Sequence, residues 1–147
     1  MNRSKLLLKK ERGIAGVLDF VPLLIVIIMC AYMLIQYSYN VRFMDMLNRL
    51  ENLSQKYILI MGTENGLKAD ELDKFYEEIE RIGIPSSNVD FAGTTFWDSS
   101  IEYGDEIYLM IKAKIPVCSV MMGEDMNSRI NYFEREVNIE KCAIALG

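Results

Sequence analysis

Residues 14–35 read IAGVLDFVPLLIVIIMCAYMLI, and this stretch decides how the rest of the chain is organised. Asp19 is the single charge in it. A helix needs about 20 apolar residues to cross the hydrocarbon core of a bilayer, and this run is long enough. A basic segment holding Arg3, Lys5, Lys9, Lys10 and Arg12 precedes it. Residues 1–13 carry five Lys/Arg against one Glu, whereas residues 14–147 carry 11 against 20 Asp/Glu. The basic flank predicts a cytoplasmic N-terminus and an extracytoplasmic C-terminal part, for a single-pass membrane protein.

A secretory signal peptide has a similar basic flank, but its apolar core is about 7–15 residues and ends at a small-x-small site. Here the run is longer, contains Asp19 and Pro22, and continues into Met29-Cys30-Ala31 without such a site. The run therefore reads as a retained anchor.

Helical patterning continues beyond the anchor. Tyr37 and Tyr39 stand where an aromatic belt would lie. Val41, Met44, Leu47, Leu50, Leu53, Tyr57 and Met61 then recur every three or four residues, the mark of a helix with one apolar face. One helix is expected from about residue 5 to about 61, with Gly62 as its C-cap and residues 62–66 as a turn. A second helix is expected over Ala69–Ile82, with Asp70, Glu71 and Asp73 favourable at its N-terminal dipole and Leu72, Phe75, Tyr76, Ile79 and Ile82 facing inward. Gly83 and Pro85 end it.

The remainder reads as strands. Asn88–Thr94 alternates through Val89 and Phe91. In Asp105–Val117, Ile107, Leu109, Ile111, Ala113, Ile115 and Val117 alternate with Tyr108, Met110, Lys112 and Lys114. A third strand runs from Arg129 to Leu146, and Gly123–Asn127 between the two long strands predicts an antiparallel hairpin. The expected fold is α+β: a long transmembrane and stem helix, a short second helix, and a small antiparallel sheet packed on the helix. The divisions are a leader (1–13), a transmembrane helix (14–37), a helical stem (38–61) and an α+β head (62–147). The hairpin places Cys118 and Cys142 tens of ångströms apart, so no bridge between them is expected.

Catalytic chemistry finds little to build on. The chain has no histidine, which removes the Ser-His-Asp triad and the commonest metal ligand. The acids Asp70, Glu71, Asp73, Glu77, Glu78 and Glu80 match no EF-hand spacing and read as a solvated helix face. No enzyme activity and no cofactor are expected. The acidic C-terminal part argues against nucleic acid bound directly by the head. Asp19 is the residue that calls for a functional account, because an ionisable group within a membrane segment is costly and normally partnered. It lies six residues past Gly13, so one reading places it near the cytoplasmic interface, where it reaches water. The other gives it a cationic partner, a role that a free α-amino group after cleavage behind Gly13, supplied by a neighbouring subunit, would suit.

Lys9-Lys10-Glu11-Arg12-Gly13, followed by an apolar helix with an early acidic residue and Pro22, resembles type IV pilins. The likeness is greatest to the TadE-like pseudopilins of tight-adherence (Flp/Tad, type IVc) pili. Gly93-Thr94-Thr95 and Tyr103-Gly104-Asp105 are similar to segments of a Gram-positive TadE-like branch. The resemblance implies cleavage by a prepilin peptidase between Gly13 and Ile14. It also implies assembly with other pilin-like subunits through a helix registered by Asp19 and Pro22, with the head displayed on a pilus or secretion apparatus. In that family the acidic residue is fifth after the cut, whereas here Leu18 is fifth and Asp19 sixth.

Overall fold

The computed structural model describes residues 3–122 and 128–146, with side chains described from Phe20 onward except at positions 121, 122, 128 and 129. The fold is α+β. Helix α1 spans Arg3–Glu64 and helix α2 spans Ala69–Ile82. After a short 3-10 turn over Ser86–Asn88 come strands β1 (Val89–Asp90), β2 (Glu106–Met122) and β3 (Ser128–Ile144). The three strands form one antiparallel sheet in the order β1-β2-β3. The chain divides into two compact units, residues 1–38 and 39–147.

The core of the second unit is assembled from α1, α2 and the inner face of β2. Strand alternation puts Ile107, Leu109, Ile111, Ala113, Ile115 and Val117 on one face, and all six are buried. The aliphatic side chains among them each contribute about 1.5–3 kcal/mol of hydrophobic stabilisation by burial. From α1 come Phe43, Leu50, Leu53, Tyr57, Ile58 and Met61, and from α2 Phe75 and Ile79. Phe75 lies edge-on to Tyr57 at 4.3 Å between ring centroids and to Phe91 at 5.1 Å, a favoured geometry for aromatic pairs.

The buried stripe of α1 differs at its start from the sequence expectation. Val41 and Met44 are exposed, at 47% and 55%, while Phe43 is buried and Met46 packs against the core. Two overlapping stripes at helical spacing run through residues 41–50, and the sheet selects the one through Phe43. The guanidinium of Arg135 on β3 lies over the Phe43 ring, 5.1 Å from its centroid, a cation–π contact that holds β3 to the helix.

Gly62 is not the C-cap. Helix α1 continues through it to Glu64, and the left-handed residue is Asn65, with φ 59°, followed by Gly66 at φ 118°. The Gly66 amide donates to the Met61 carbonyl at 3.0 Å, closing the helix end. The second helix ends as read, on Gly83 at φ 99°.

The first strand is shorter than the alternation over 88–94 implies. Beyond Asp90 the chain stays beside β2, but threonine hydroxyls replace the backbone ladder. Thr94 Oγ1 donates to the Met110 carbonyl at 2.9 Å and accepts from the Met110 amide at 3.0 Å. Thr95 Oγ1 accepts from the Tyr108 amide at 3.1 Å, and the Thr95 amide donates to the Tyr108 carbonyl at 2.8 Å. Pro116 falls within β2 without breaking it. The amides of Tyr108 and Met110 point to the β1 side, so the proline nitrogen in phase with them faces that side too, past the end of β1.

The hairpin register pairs Tyr108 with Cys142 and Cys118 with Tyr132. Cys142 is thus opposite a residue ten positions from Cys118, roughly 33 Å along the strand, and all three cysteines are free. The expected turn at residues 123–127 lies outside the described residues.

Candidate membrane anchor and assembly helix

In the unit formed by residues 1–38, the described side chains are those of the apolar helix. From Phe20 to Ile35 nearly every side chain is exposed, Leu23–Met29 and Met33–Ile35 among them. A monomeric soluble protein rarely leaves a contiguous apolar patch of more than a few hundred square ångströms in water. This segment is apolar on every side of the helix, which is the pattern of a helix surrounded by lipid or by other helices. It is long and apolar enough to cross a membrane. Near its end Gln36 Nε2 donates to Tyr32 Oη at 3.1 Å.

Pro22 lies inside α1. Its ring removes the amide that would reach the Leu18 carbonyl, a loss of about 3 kcal/mol in an aqueous helix. Membrane helices tolerate such breaks where a neighbouring helix, hydroxyl or water supplies the missing donor. Gly13, Ile14 and Asp19 are also helical positions of α1, but their side chains lie outside those described. Asp19 and Pro22 are three residues apart, hence neighbours on one side of the helix. The sequence-predicted processing and assembly positions therefore share one helix, and the geometry of the Asp19 carboxylate is not among the described features.

In the head, the acids of α2 are shared among nearby cations rather than gathered on one point. Lys74 Nζ meets Glu71 at 2.6 Å and Asp70 at 3.9 Å, Lys56 Nζ meets Glu78 at 2.6 Å, and Arg81 meets Glu77 at 3.6 Å. Among the described residues no three His, Cys, Asp or Glu side chains converge on a point where a metal ion would sit. Glu78 is the most involved of these acids. Its Oε1 also lies 3.4 Å from the hydroxyl of the buried Tyr57. Burial first, then the negative charge of Glu78, raises the Tyr57 pKa well above the usual tyrosine value.

Two groups that the sequence marks only by resemblance bind the head together. The Thr94–Thr95 hydroxyls carry the sheet edge. At the same end of β2, on its β3 side, the Gly104 amide donates to the Ala145 carbonyl at 3.0 Å, and the Ala145 amide donates to the Asp105 carbonyl at 2.9 Å. The Gly-Thr-Thr and Tyr-Gly-Asp segments thus have direct structural roles. A groove of about 410 Å³ runs between Tyr39, Phe43 and Met46 of α1, Gly83 after α2, and Val117 and Cys118 of β2. No protein-family model, curated protein or solved structure matches this chain.

Proposed function

We propose that the protein is a membrane-anchored structural subunit of pilin-like type. It would act as a minor pilin or pseudopilin of a Tad-like pilus or secretion apparatus. The observation that carries this reading is the helix exposed on all sides over residues 20–35, followed in the same α1 by residues that form the core of a small α+β head. A helix apolar on every side offers packing surface to lipid and to like helices at once. The basic flank favours a cytoplasmic N-terminus and an extracytoplasmic head. On this reading a prepilin peptidase cuts between Gly13 and Ile14, and Asp19 then takes the new α-amino group of a neighbouring subunit as its partner. Pro22, with no amide to donate, gives the helix a site where it can bend against its neighbours.

A second reading is an unprocessed single-pass protein whose head binds a ligand or cell-wall component. The place of Asp19, sixth rather than fifth after Gly13, favours it. N-terminal sequencing of the protein taken from its native membrane separates the two. A chain beginning at Ile14 supports the pilin-like subunit, and a chain retaining Met1 removes processing and leaves the second reading.

A further inference from the structure

The ladder between β2 and β3 leaves one side of β3 without a partner. The amides of Tyr108 and Met110 point to the β1 side of β2, so the odd-numbered residues of β2 bond to β3. Their opposites on β3 run from Phe133, across from Val117, to Ala143, across from Ile107. The even-numbered residues of β3, from Ile130 to Cys142, therefore turn their amides and carbonyls to the outer edge. Among the described residues none hydrogen-bonds to these edge groups, and every one of these even-numbered residues is exposed.

An open strand edge is a template for another strand, and proteins blunt it with short strands, bulges, proline or a covering element. Strand β3 is 17 residues long and pairs with β2 without a bulge. It contains neither proline nor glycine. What it carries is charge sorted by face. Glu134, Glu136 and Glu140 belong to the same even-numbered set whose backbone groups are open. Arg135 and Lys141 are turned the other way, one over the Phe43 ring and the other 3.2 Å from Glu51. None of the three glutamates forms a salt bridge with a described residue. Lys112 and Lys114 stand across from Asn138 and Glu136, and Glu134 Oε1 accepts from Asn88 Nδ2 at 3.0 Å.

This sorting selects the occupant. In an antiparallel pair the edge-pointing residues of the two strands stand opposite each other. A second β3 in any central register would set two of these glutamates face to face, and like charges directly opposite are destabilising. The edge thus repels its own copy. A strand with Lys or Arg at the facing positions gains attraction where the copy meets repulsion, which is how one partner is favoured over another.

We propose that the outer edge of β3, from Ile130 to Cys142, is a strand-addition site for an extended cationic segment of another protein. The segment would run antiparallel to β3, with Lys or Arg opposite Glu134, Glu136 and Glu140. Main-chain hydrogen bonds would supply the attachment and the glutamates the selection. The site lies wholly within the head and depends neither on the anchor nor on processing at Gly13.

The test uses the full-length protein in neutral detergent and a fluorescent peptide, Lys-Val-Thr-Val-Lys-Val-Lys-Val-Thr, whose lysines match the spacing of the three glutamates. Binding is read by anisotropy, and its place by amide hydrogen exchange. The peptide is expected to bind and to slow exchange at Glu134, Glu136, Asn138 and Glu140, while the amides of Arg135 and Val137, already in the ladder, stay unchanged. The same peptide N-methylated at its lysines keeps the charge but lacks the edge-facing donors, and is expected not to bind. Glu136→Lys with Glu140→Lys should weaken binding roughly tenfold, and a peptide with Glu in place of Lys should then bind better than the original. Equal binding of the N-methylated peptide reduces the contact to charge alone and overturns the proposal. Absence of edge protection under saturating peptide also overturns it. Edge amides that exchange slowly in the free protein, and faster on dilution, assign the edge to a second copy of the chain and overturn it as well.

Discussion

The amide of Leu146 donates to the carbonyl of Gly62 at 2.8 Å. Gly62 lies in the last turn of α1, where carbonyls lack intrahelical donors. The C-terminal segment therefore closes the helix end, and its approach leaves room at Gly62 for a Cβ but little more. A Cβ on Gly62 would lie 3.4 Å from the Ile144 carbonyl oxygen and 3.7 Å from the Ala143 Cβ. Replacing Gly62 with Ala brings only ordinary van der Waals contacts together with a helix-propensity gain of about 1 kcal/mol, so stability should rise by up to about 1 kcal/mol. Gly62→Val has no such balance and should destabilise by about 1–3 kcal/mol through overpacking. Thermal unfolding of the detergent-solubilised protein, followed by circular dichroism, measures both. Equal effects of the two substitutions would remove the close-approach account.

Gly66 and Gly104 test strain against crowding. Both have positive φ, at 118° and 98°. A Cβ on Gly66 would lie 2.8 Å from backbone atoms of Phe96 and Trp97, whereas nothing lies within 4 Å of one on Gly104. Gly104→Ala should cost about 1 kcal/mol from backbone conformation alone. Gly66→Ala should cost about 2–4 kcal/mol, because backbone atoms must also move. It should also disturb the strand-like contact in which the Leu67 amide donates to the Thr95 carbonyl and the Trp97 amide donates to the Leu67 carbonyl. The same unfolding measurement ranks the pair, and a Gly104 variant as damaging as the Gly66 variant would contradict the geometry.

The hydroxyl edge of the sheet yields a chemical prediction. Thr94 is 8% exposed and its Oγ1 serves both polar groups of Met110. Valine has nearly the same shape but neither donates nor accepts. Thr94→Val should therefore cost about 1–3 kcal/mol, the consequence of leaving buried backbone groups without partners. Thr94→Ser, which keeps the hydroxyl, should lose less. Hydrogen exchange at the Met110 amide supplies the local readout, and slow exchange retained in the valine variant would mean that Thr94 Oγ1 does not hold that amide.

How much of this was legible in the sequence follows from how local each cause is. The β2 alternation from Ile107 to Val117 could be read because a strand buried on one face repeats every two residues. The α2 boundaries could be read because Gly83 and Pro85 stop a helix by local chemistry. The stripe of α1 at residues 41–47 was ambiguous, since Val41–Met44 and Phe43–Met46 fit a helix equally and only the sheet chooses between them. Gly62 was misread because glycine marks both a helix end and a close approach. The end of β1 was invisible to periodicity, because two threonine hydroxyls take over where the ladder stops. Over residues 20–35 the apolar helix is legible from composition alone. What faces Asp19 is not, because it depends on what surrounds the helix.

The pairing of Tyr57 with Glu78 makes the head sensitive to alkali. Burial and the nearby carboxylate raise the folded pKa of Tyr57 above the ordinary value. The sign follows from linkage: a group whose folded pKa is raised contributes stability below its unfolded pKa of about 10, and that stability is lost as pH rises beyond it. Tyr108, with its hydroxyl against Glu106, is also raised, to about 12. In an absorbance titration at the phenolate band, Tyr108 should ionise before Tyr57, which ionises only as the head unfolds. Tyr57→Phe should remove the last, cooperative step, and a Tyr57 that titrates before Tyr108 would contradict its burial.

The role proposed for Asp19 has the most direct test. A carboxylate in the apolar run carries an insertion cost of about 2.5–3.5 kcal/mol at the centre of a membrane helix, and less near the interface. Asp19→Ala removes that cost, so membrane insertion, measured as resistance to alkaline carbonate extraction, should be kept or improved. If Asp19 holds a neighbouring subunit by its α-amino group, the same substitution leaves that cation unpaired and should abolish co-purification of differently tagged copies. Asp19→Glu keeps the charge and should restore part of it. Co-purification that survives Asp19→Ala would make the residue an interfacial carboxylate facing water, and helix packing would then depend on the apolar surface alone.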